Sequence, residues 1–473
     1  MNEPTLTVIP IPYQPSWTYF SRLRVWSYAA WLDSSTKPAS YTDSQVDILT
    51  AEPEVVLKRR GGQIYKDGQL YSLAENTEKK ASLRQSSSPF PLMREIAANY
   101  AVAADEIPEG IPFVGGWLGW WGYDLKSATE PKRFSSEPTQ TDMVVGLYLW
   151  AIVLDHRQQQ GYVVVHKDCR LGQAEILARV FSQVGRPHDT FQLHGPFNSA
   201  TSCTQYHQQF NAIQHYIRQG DCYQVNLTQR FSATYGGDIA DAYLALRGVS
   251  PAPFSAWLDF PDIAVMSISP ERFIQVKAGK VETKPIKGTR PRHADPELDQ
   301  QLADELRHSG KDQAENVMIV DLLRNDLSKH CLKVRVPQLF ALERFSNVHH
   351  LVSTVTATLK DDADCYHILE DSFPGGSITG APKVRAMEII DALEPVSRQA
   401  YCGCIGYISL NGSMDTNIAI RTLVAEQGQL HCWGGGGIVA DSEADAEYQE
   451  SITKVRNLLS CLEAFQYQQA IEE

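Results

Sequence analysis

The sequence predicts a protein of the α+β class. Alternating apolar and polar residues in QVDILTAEPEVVL and MVVGLYLWAIVLD indicate that residues 1–190 are rich in strands. Beyond residue 200, helix-like segments follow groups of strand-like segments, without the regular βαβ alternation of a parallel sheet. No internal repeat or coiled-coil pattern accompanies them. These observations favour an α+β arrangement over a doubly wound sheet.

The chain is long enough for two parts. Its 473 residues, of which 43% are hydrophobic, exceed one average domain and can bury a large core. Residues 185–202, GRPHDTFQLHGPFNSATS, concentrate Gly, Pro, Ser and Asn between two patterned regions. We therefore expect a strand-rich N-terminal lobe over residues 1–190 and a second region over residues 200–465.

Charge and composition exclude several classes of function. The formal charge of −13 argues against binding to nucleic acid or to an anionic membrane, because both usually require a basic face. The chain does not start with a basic segment followed by an apolar one, and no run is as long and apolar as a membrane span. We expect a cytoplasmic protein with no membrane partner, whose nine scattered cysteines are reduced and mostly structural.

The elements of the second region can be placed in order. Tyr206, Phe210, Ile213 and Ile217 recur at helical spacing, and Gly220 stands where such a helix would end. The strand-like segment CYQVNLTQRFSA follows this helix. Further helices are predicted over residues 298–329, 380–394 and 441–465, and further strands over YCGCIGYISL, TNIAIRTLVAE and LHCWGGGGIVA.

Two of the predicted helices carry carboxylates beside an apolar face. Asp312 and Glu315 stand one turn apart in KDQAENVMIVDLLRNDL, and Glu447, Glu450 and Lys454 share one stripe of the last helix. Oxygen ligands of this kind suit Mg²⁺, which takes one or two protein carboxylates and fills its other positions with water and substrate oxygens. Acidic stripes are also ordinary solvated helix faces, so spacing alone does not identify a metal site.

Four consecutive glycines, Gly434–Gly437, lie at the end of the predicted strand LHCWGGGGIVA. Glycine allows backbone N–H groups to approach an anion such as a carboxylate closely. A tight turn or a bulge would explain the same run. The other glycine-rich loop, PGGSITGAPK, lacks the lysine that directly follows the second glycine of a phosphate-binding P-loop, which disfavours a nucleotide site.

An acid and a lysine flank a predicted hairpin. In SISPERFIQVKAGKVETKPIKGTRPR, Glu271 ends a strand-like segment, and Lys287 follows sixteen residues later inside PIKGT. Two strands joined by the turn KAGK would bring the two side chains together. A lysine between Ile286 and Gly288 can be desolvated, which lowers its pKa and supplies the neutral amine of a nucleophile. The alternative is an ordinary surface lysine in a loop.

Taken together, these segments resemble the chorismate-utilising enzymes. That family includes the first components of anthranilate synthase and aminodeoxychorismate synthase, together with isochorismate synthase and salicylate synthase. The resemblance covers residues 200–460 through motifs that occur in order: GDCYQVNLTQRF, SPERF, PIKGTRPR, KDQAENVMIVDLLRNDL, VHHLVSTV, PGGSITGAPKVRAMEIID and GGGGIVADSEADAEYQESITKV. It implies two large antiparallel sheets packed together and flanked by helices, with the catalytic region intertwined with the first lobe.

The resemblance also implies roles for individual residues. Glu271 corresponds to the general acid that acts on the leaving 4-hydroxyl of chorismate. The Mg²⁺ ligands correspond to Glu315 and Glu450, with Glu447 close by and linked through water. Substrate contacts correspond to His350, Thr379, Tyr401, Arg421, Lys454, the backbone at Gly435, and Gly288 and Thr289. Among these residues, the arginine and the lysine offer the cations that two substrate carboxylates require.

Two positions distinguish the branches of the family. Members that add water at C2 of chorismate carry a lysine where this chain has Gln224, which disfavours isochorismate and salicylate synthesis. Anthranilate synthases typically read PIAGTR, whereas this chain reads PIKGTR with Lys287, the form that resembles the enzymes making aminodeoxychorismate. The implied reaction replaces the 4-hydroxyl with an amino group on the route to para-aminobenzoate and folate. Anthranilate synthesis is the alternative within the family.

The expected partners are ammonia and tryptophan. The sequence lacks a glutaminase signature of the Gly-x-Cys-x-Gly kind followed by His and Glu, so ammonia would come from solution or from a separate glutamine amidotransferase subunit. The segments IPYQPSWTYFSRL, AAWLDSS and GGWLGWWGYDL resemble the family's first lobe, where Ser34 matches the serine of a tryptophan pocket. Plain sheet packing is the alternative for that lobe. The competing class of function is a non-catalytic, tryptophan-binding protein with the same fold.

Overall fold

A computed structural model describes residues 4–35, 45–71, 88–103, 106, 110–182, 189–345 and 348–466. Within these ranges the helices are α1 Ser16–Leu23, α2 Phe90–Ala97, α3 Lys126–Thr129, α4 Gln173–Val180, α5 Cys203–Gln219, α6 Ala240–Val249, α7 Pro296–His308, α8 Gly310–Ser328, α9 Cys365–Ser372, α10 Lys383–Leu393 and α11 Ala444–Glu463. Short 3-10 turns lie at Ala98–Tyr100, Tyr123–Leu125 and Gly376–Ile378.

The strands that begin before residue 230 are β1 Leu6–Ile11, β2 Ala29–Asp33, β3 Val46–Thr50, β4 Val55–Arg60, β5 Gln63–Lys66, β6 Gln69–Leu70, β7 Gly116–Trp121, β8 Thr141–Tyr148, β9 Trp150–Asp155, β10 Gln160–His166, β11 Gln192–Leu193, β12 Asn198–Ser199 and β13 Gln224–Gly236. The later strands are β14 Phe254–Asp259, β15 Ala264–Ser269, β16 Arg272–Lys277, β17 Lys280–Thr283, β18 Ile286–Pro291, β19 Cys331–Arg344, β20 Val348–Leu359, β21 Gly380–Ala381, β22 Cys404–Ser409, β23 Met414–Ile418, β24 Thr422–Glu426 and β25 Gln429–Ile438.

These strands form two large antiparallel sheets. Among the described residues, the first sheet has 13 strands in the order β1-β10-β9-β3-β2-β14-β15-β24-β25-β13-β11, with β12 and β21 also paired to β13. The second has 12 strands in the order β18-β20-β17-β16-β23-β22-β7-β8-β4-β5-β6, with β19 also paired to β20. The predicted α+β class, with two antiparallel sheets flanked by helices, is confirmed.

The main core lies between the two sheets. Trp117 of the second sheet and Ala256 and Leu258 of the first belong to one cluster of buried apolar side chains. Trp257, which points to the opposite face of β14, belongs to a second cluster that includes Phe20 from α1. The first sheet is therefore buried on both faces, by the second sheet on one side and by helices on the other.

Helix α5 matches its prediction closely. It begins after Ser202, whose hydroxyl accepts a hydrogen bond from Gln205 N while the Gln205 side chain accepts one from Ser202 N. This reciprocal pair satisfies two N–H groups that would otherwise lack partners at the start of the helix. The helix ends at Gly220, whose φ of 79° is the left-handed conformation that glycine adopts without strain.

Two predicted elements are divided in the structure. The helix expected over residues 298–329 is two helices, α7 and α8, because Ser309 leaves helical geometry with a ψ of 106° and its hydroxyl accepts a hydrogen bond from Asp312 N. The strand expected over TNIAIRTLVAE is also two strands, since Arg421 has a left-handed φ of 50° between β23 and β24. Both breaks lie at positions that contribute to the candidate site.

The glycine run is part of a regular strand. Gly434–Gly437 lie in β25 and pair with β13 without a break in register. A Cβ on Gly434 would lie 2.1 Å from Ser451 O of α11, and a Cβ on Gly435 would lie 2.5 Å from Leu227 O of β13. The glycines thus allow helix and strand backbones to approach more closely than side chains would permit. The predicted strand is confirmed, and the alternative of a tight turn or bulge is wrong.

Each sheet combines strands from both sides of the predicted linker. In the first sheet β2 pairs with β14, and in the second β7 pairs with β22. Inside the linker, β11 and β12 both pair with β13, while residues 185–188 lie outside the described residues. The division into a lobe over residues 1–190 and a region over residues 200–465 stays a prediction.

Cysteine burial agrees with the expectation of structural thiols. All nine cysteines are free, and six of them are buried. Burial raises the pKa of the Cys404 thiol well above its usual value, which makes it a poor nucleophile. In the described ranges, no helix combines the length and apolar character needed to cross a membrane.

Candidate active site

Glu271 is a buried acid at the junction of β15 and β16. Only 5% of it is exposed, and its Oε1 accepts a hydrogen bond from Ser377 Oγ at 2.8 Å. Burial raises its pKa to about 7, although the Ser377 hydrogen bond, the charge of Lys287 and the Ile286 N–H act in the opposite direction. A substantial fraction of this acid therefore carries a proton at neutral pH, as a proton donor must.

The predicted hairpin places Lys287 near this acid. Strands β16 and β17 are joined by a two-residue turn at 278–279, and the chain then returns as β18. Lys287 as a whole is half-buried, but its ammonium is surrounded by protein atoms and donates to Ser377 O at 3.0 Å. Burial lowers its pKa, while the carboxylates of Glu315 and Glu271 oppose that change. Lys287 is thus not an ordinary surface lysine.

Helices α8 and α11 bring the carboxylates of Glu315, Glu447 and Glu450 close enough for neighbouring charges to affect their pKa values. A Cβ added to Gly436 of β25 would lie 3.2 Å from Glu447 Oε2 and 3.4 Å from Glu450 Oε1. Burial raises the pKa of Glu315, and the charge of Glu447 adds to that effect. Burial also raises the pKa of Glu447, with Glu450 adding to it. Repulsion of this kind favours a bound cation.

Lysines offset part of this negative charge. Lys454 Nζ lies 2.7 Å from Glu450 Oε1 and 3.0 Å from Gly435 O. Burial alone would raise the pKa of Glu450, but Lys454 outweighs it, so the pKa lies below its usual value. Lys311, whose side chain is 53% exposed, stands 3.8 Å from Glu447 Oε1. Burial keeps the pKa of Glu315 and Glu447 raised despite these lysines, and a bound cation would favour the ionised form of both carboxyls.

The donor set fits Mg²⁺. In the part of the chain that the structure describes, no three His, Cys, Asp or Glu side chains are close enough together to enclose a metal ion by themselves. Mg²⁺ does not need such an enclosure, because it typically binds one or two protein carboxylates and keeps several water or substrate oxygens. Glu315 and Glu450 supply that number and kind of ligand.

A neutral histidine and an arginine lie near the pairing of β18 with β20. Thr289 Oγ1 is 2.9 Å from His350 Nδ1, and His350 Nε2 is buried without a hydrogen-bond partner among the described residues. Burial lowers the pKa of His350 to about 3, and the nearby charge of Arg421 adds to that change. An unpartnered ring nitrogen near a guanidinium suits a substrate carboxylate or hydroxyl.

Gly288 fixes how closely the α7–α8 junction covers β18. Its φ is 77°, and a Cβ there would lie 2.7 Å from Leu306 Cδ1 and 2.9 Å from Asp312 Cγ. Any other residue would need both a strained backbone and displaced neighbours. The glycine therefore allows α8, which carries Glu315, to approach the strand that carries Lys287.

Thr379 and Tyr401 are buried in the walls of the site. Thr379 Oγ1 donates to Gly375 O at 3.1 Å, inside the loop over residues 373–380 that also carries Ser377. The Tyr401 ring stacks on Trp433 of β25, with ring centroids 5.9 Å apart and an interplanar angle of 8°. Direct contact of either side chain with substrate stays a prediction.

Ser377 was not singled out from the sequence, although it connects the acid and the lysine. Its hydroxyl donates to Glu271, and its carbonyl accepts from Lys287. The only sequence signal is a hydroxyl residue between glycines in PGGSITG. Gln224, which served only to distinguish branches, is fully buried, and neither of its amide atoms has a partner in the described parts of the chain.

Ser34 belongs to a different part of the molecule. It is 1% exposed, and its hydroxyl donates to Asp47 Oδ1 at 2.8 Å. The neighbouring Asp33 lines a cavity of about 750 Å³ between the two sheets, together with Leu32, Ile48, Pro253, Phe254, Tyr407 and Met414. A volume of this size with mixed apolar and polar walls is typical of a pocket for a small molecule.

The fold and the site define a class of protein. Residues 30–460 match the family of chorismate binding enzymes. This chain belongs to that family, as its motifs predicted.

The chain is similar along nearly its whole length to two proteins named aminodeoxychorismate synthase component 1. The protein from Klebsiella aerogenes is 45% identical over 463 residues, which cover 97% of this chain and 99% of that protein. The protein from Escherichia coli (strain K12) is 44% identical over 452 residues, which cover 94% and 95%. The crystal structure of anthranilate synthase component I from Streptococcus pneumoniae TIGR4 is similar with a TM-score of 0.74 and 28% identity, over 89% of this chain and 93% of that chain.

Proposed function

We propose that this chain is the chorismate-binding component of an aminodeoxychorismate synthase. In this function it replaces the 4-hydroxyl of chorismate with an amino group from ammonia, and the product keeps the enolpyruvyl side chain. The observation that carries the proposal is the enclosed ammonium of Lys287 near the acid Glu271, in the PIKGTR motif that separates this branch from anthranilate synthases. Similarity to relatives with this name, two of them at 45% and 44% identity, supports it.

In the first step Glu271 is the acid and Lys287 is the nucleophile. Glu271 gives its proton to the 4-hydroxyl, which leaves as water, while the neutral Lys287 amine forms a bond to C2. Burial raises the pKa of the acid and lowers that of the amine, so the uncharged forms of both groups are favoured together. The Glu271 carboxylate then takes up the proton that the new secondary ammonium releases.

In the second step ammonia attacks C4 and the bond between C2 and the lysine nitrogen breaks. The departing lysine nitrogen takes a proton from Glu271, the new ammonium on C4 returns one to the Glu271 carboxylate, and the product is 4-amino-4-deoxychorismate. Arg421 and Lys454 supply cations for the two substrate carboxylates, and His350 supplies an uncharged partner. Charges and dipoles that are fixed before the reaction stabilise the transition state without reorganisation at that moment.

The proposal includes Mg²⁺ as the cofactor. Glu315 and Glu450 would hold it, with Glu447 linked through water. When bound, Mg²⁺ supplies positive charge that neutralises the ring carboxylate and withdraws electron density from the diene. Glu315 and Glu447 support this assignment, because burial raises the pKa of both carboxyls and neighbouring carboxylates add to it, and a bound cation would offset both effects.

We place the reaction in the cytoplasm. The nine free cysteines fit a reducing compartment, since chains in oxidising compartments commonly form disulfides. Cys203 is exposed and Cys169 and Cys461 are partly exposed, so these three thiols would meet oxidants outside the cell.

Release of pyruvate distinguishes the proposed reaction from anthranilate synthesis. The test is mass spectrometry of the products after the purified chain has been incubated with chorismate, Mg²⁺ and an ammonium salt. We expect 4-amino-4-deoxychorismate and no pyruvate. Anthranilate with an equal amount of pyruvate would contradict the proposal, and absence of turnover would favour a non-catalytic, tryptophan-binding protein.

Ammonium salts are expected to support the reaction without a partner, whereas glutamine requires an added amidotransferase subunit. The sequence lacks a glutaminase signature, so this chain has no means of releasing ammonia from glutamine. Free ammonia is a nucleophile and ammonium is not, so at a fixed concentration of ammonium salt the unassisted rate should rise with pH, until loss of the Glu271 proton above a pH of about 7 offsets the gain. Product formation is measured with each nitrogen source over a pH series, and glutamine-dependent turnover by this chain alone would contradict the prediction.

Tryptophan is expected to bind the cavity beside Ser34, apart from the chorismate site. Apolar walls suit an indole, and the polar residues Gln45, Asn411 and Ser413, which also line the cavity, suit the ammonium and carboxylate groups of tryptophan. Calorimetry should show one saturable site, and Leu32→Trp, which fills the cavity, should remove it. The matched control is Leu298→Trp, at an exposed position of α7. No heat of binding at millimolar tryptophan, with none co-purifying, would disprove the assignment.

A further inference from the structure

A single buried arginine connects two segments of the chain that border the candidate site. Arg398 is 1% exposed. Its Nη1 donates to Ile378 O at 3.0 Å, and its Nη2 donates to Asn226 O at 2.7 Å. The first carbonyl lies in the loop that carries Ser377, and the second lies in β13, two residues from Gln224. One planar guanidinium therefore fixes the distance between these two segments.

Glu394, four residues earlier at the end of α10, holds the guanidinium in place. Nε and Nη2 of Arg398 donate to Glu394 Oε2 and Oε1 at 2.8 and 2.7 Å. Glu394 Oε1 also accepts from the backbone N and the Oγ1 of Thr228, each at 2.9 Å. The ring of Tyr123 lies 4.5 Å from the guanidinium carbon. A bidentate pair whose guanidinium also donates to two backbone carbonyls leaves the arginine little freedom to move.

The loop that Arg398 holds also sets the hydrogen bonds of both reacting groups. Ser377, directly before Ile378, donates to Glu271 Oε1 at 2.8 Å, and its carbonyl accepts from Lys287 Nζ at 3.0 Å. A shift of the Ile378 peptide would therefore also move Ser377, whose hydroxyl is bonded to Glu271 and whose carbonyl is bonded to Lys287. Displacements of about 1 Å at such a site can cost about 100-fold in rate.

We propose that Arg398, fixed by Glu394, is a positioning residue that sets where Ser377 stands between Glu271 and Lys287. This inference rests on the proposed function for the reaction that it serves. The donors of Arg398 end on two backbone carbonyls and on Glu394, so it acts through other residues and not on the substrate. Lysine cannot replace it, because one ammonium group does not reproduce the rigid fork of a guanidinium.

Arg398→Lys tests the proposal with the charge retained. We expect kcat to fall about 100-fold, with a much smaller change in the KM for chorismate. The Ser377 hydrogen bond lowers the pKa of Glu271, so its loss should raise that pKa. An acid catalyst works only while protonated, so the alkaline fall of the rate, at fixed free ammonia, should move to higher pH. A merely structural role would not move this limb.

Chemical rescue of Arg398→Ala provides a second test. A cavity of about 250 Å³ lies against Arg398 and Glu394, and the exposed residues Ser135 and Glu137 also line it, so solvent reaches it. Guanidinium ions at millimolar concentration should therefore enter the vacated space and restore much of the lost rate. The wild type and Arg133→Ala, whose arginine is 56% exposed, should not respond.

Circular dichroism and thermal melting identify the variants that are folded. A folded Arg398→Lys variant with the wild-type rate and pH profile would overturn the proposal, as would an Arg398→Ala variant that is active without guanidinium. If both arginine variants fail to fold, Glu394→Gln replaces them, because the amide keeps the shape and weakens the pair. It should show a smaller loss of kcat in the same direction, and wild-type behaviour would overturn the proposal.

Product identity keeps this test separate from the proposed function. Every variant is assayed by mass spectrometry for 4-amino-4-deoxychorismate, anthranilate and pyruvate. If the wild type forms anthranilate, the proposed function fails, while the effect of Arg398 on rate and on guanidinium rescue can still be measured. If the wild type forms the expected product and the arginine variants match it in rate, only the positioning role fails.

Discussion

Lys287→Ala is expected to form no covalent adduct with chorismate and to lose most of its output of 4-amino-4-deoxychorismate. The wild type, given chorismate and Mg²⁺ without ammonia, should accumulate an adduct on Lys287, because nothing then attacks C4 to release the amine. Correct orientation of a nucleophile is worth several kcal/mol, about 7 at best, so the loss of rate should be about 100-fold or more.

Formation of this adduct should depend on pH in two opposite ways. The Lys287 amine attacks only when neutral, so the rate should rise as the pH passes its lowered pKa. Glu271 acts only when protonated, so the rate should fall again above its pKa of about 7. Adduct formation should therefore have a maximum, and Glu271→Gln should be slow at every pH.

Intact-mass analysis of the protein measures the adduct directly. Lys280→Ala is the matched control, because Lys280 lies in β17, the strand before that of Lys287, and donates to Thr358 Oγ1 on the surface. The control should form the adduct at the wild-type rate. An alanine variant at Lys287 that keeps its rate with ammonia, with no adduct seen in the wild type, would leave Lys287 as an electrostatic or binding residue at most.

Glu315→Gln and Glu450→Gln are each expected to abolish turnover and to weaken Mg²⁺ binding. An amide has no charge, and the affinity of such a site depends largely on carboxylate charge. Calorimetric titration with Mg²⁺ gives a measurement that does not depend on activity. Asp321→Asn is the matched control, since Asp321 is an exposed acid of the same helix α8. Near-native activity of both glutamine variants at limiting Mg²⁺ would contradict the assignment.

The two variants should differ in stability when the metal is removed with a chelator. Burial raises the pKa of Glu315, so its ionised form destabilises the folded protein, and Glu315→Gln should melt at a higher temperature than the wild type. The pKa of Glu450 is lowered by Lys454, so its charge is stabilising, and Glu450→Gln should melt at a lower temperature. The Glu315 difference should vanish below a pH of about 4, where this residue is protonated in both the folded and the unfolded state. The Glu450 difference should persist to lower pH and disappear only as the pH falls through the lowered pKa of Glu450. Equal melting temperatures at neutral pH would contradict this charge distribution.

Local signals were sufficient to predict some elements. Helix α5 followed from four apolar residues at helical spacing and from Gly220. The strand β13 after it and the helix α11 at the end of the chain were also found, because apolar residues alternate with polar ones in the strand and recur at helical spacing in the helix.

Local patterns did not predict the ends of elements where the chain changes direction but the spacing of apolar residues continues. The break at Ser309 depends on a cap formed with Asp312, and the break at Arg421 depends on a left-handed residue between two strands of different sheets. The first break has Gly310 directly after Ser309, a signal that a single glycine inside an apolar period leaves ambiguous, and the second has no glycine or proline at Arg421.

The sequence by itself determined the family, the pairing of Glu271 with Lys287 across a hairpin, and the two helices that carry the carboxylates. Motifs and spacing suffice for these because they depend on residues near one another in the chain. Only the tertiary structure decided that the Lys287 ammonium is enclosed, that Ser377 joins it to Glu271, and that Arg398 fixes the loop between them. Burial, pKa and hydrogen bonding depend on contacts between distant segments, such as Ser377 and Glu271, which are 106 residues apart. A one-dimensional pattern does not contain those contacts.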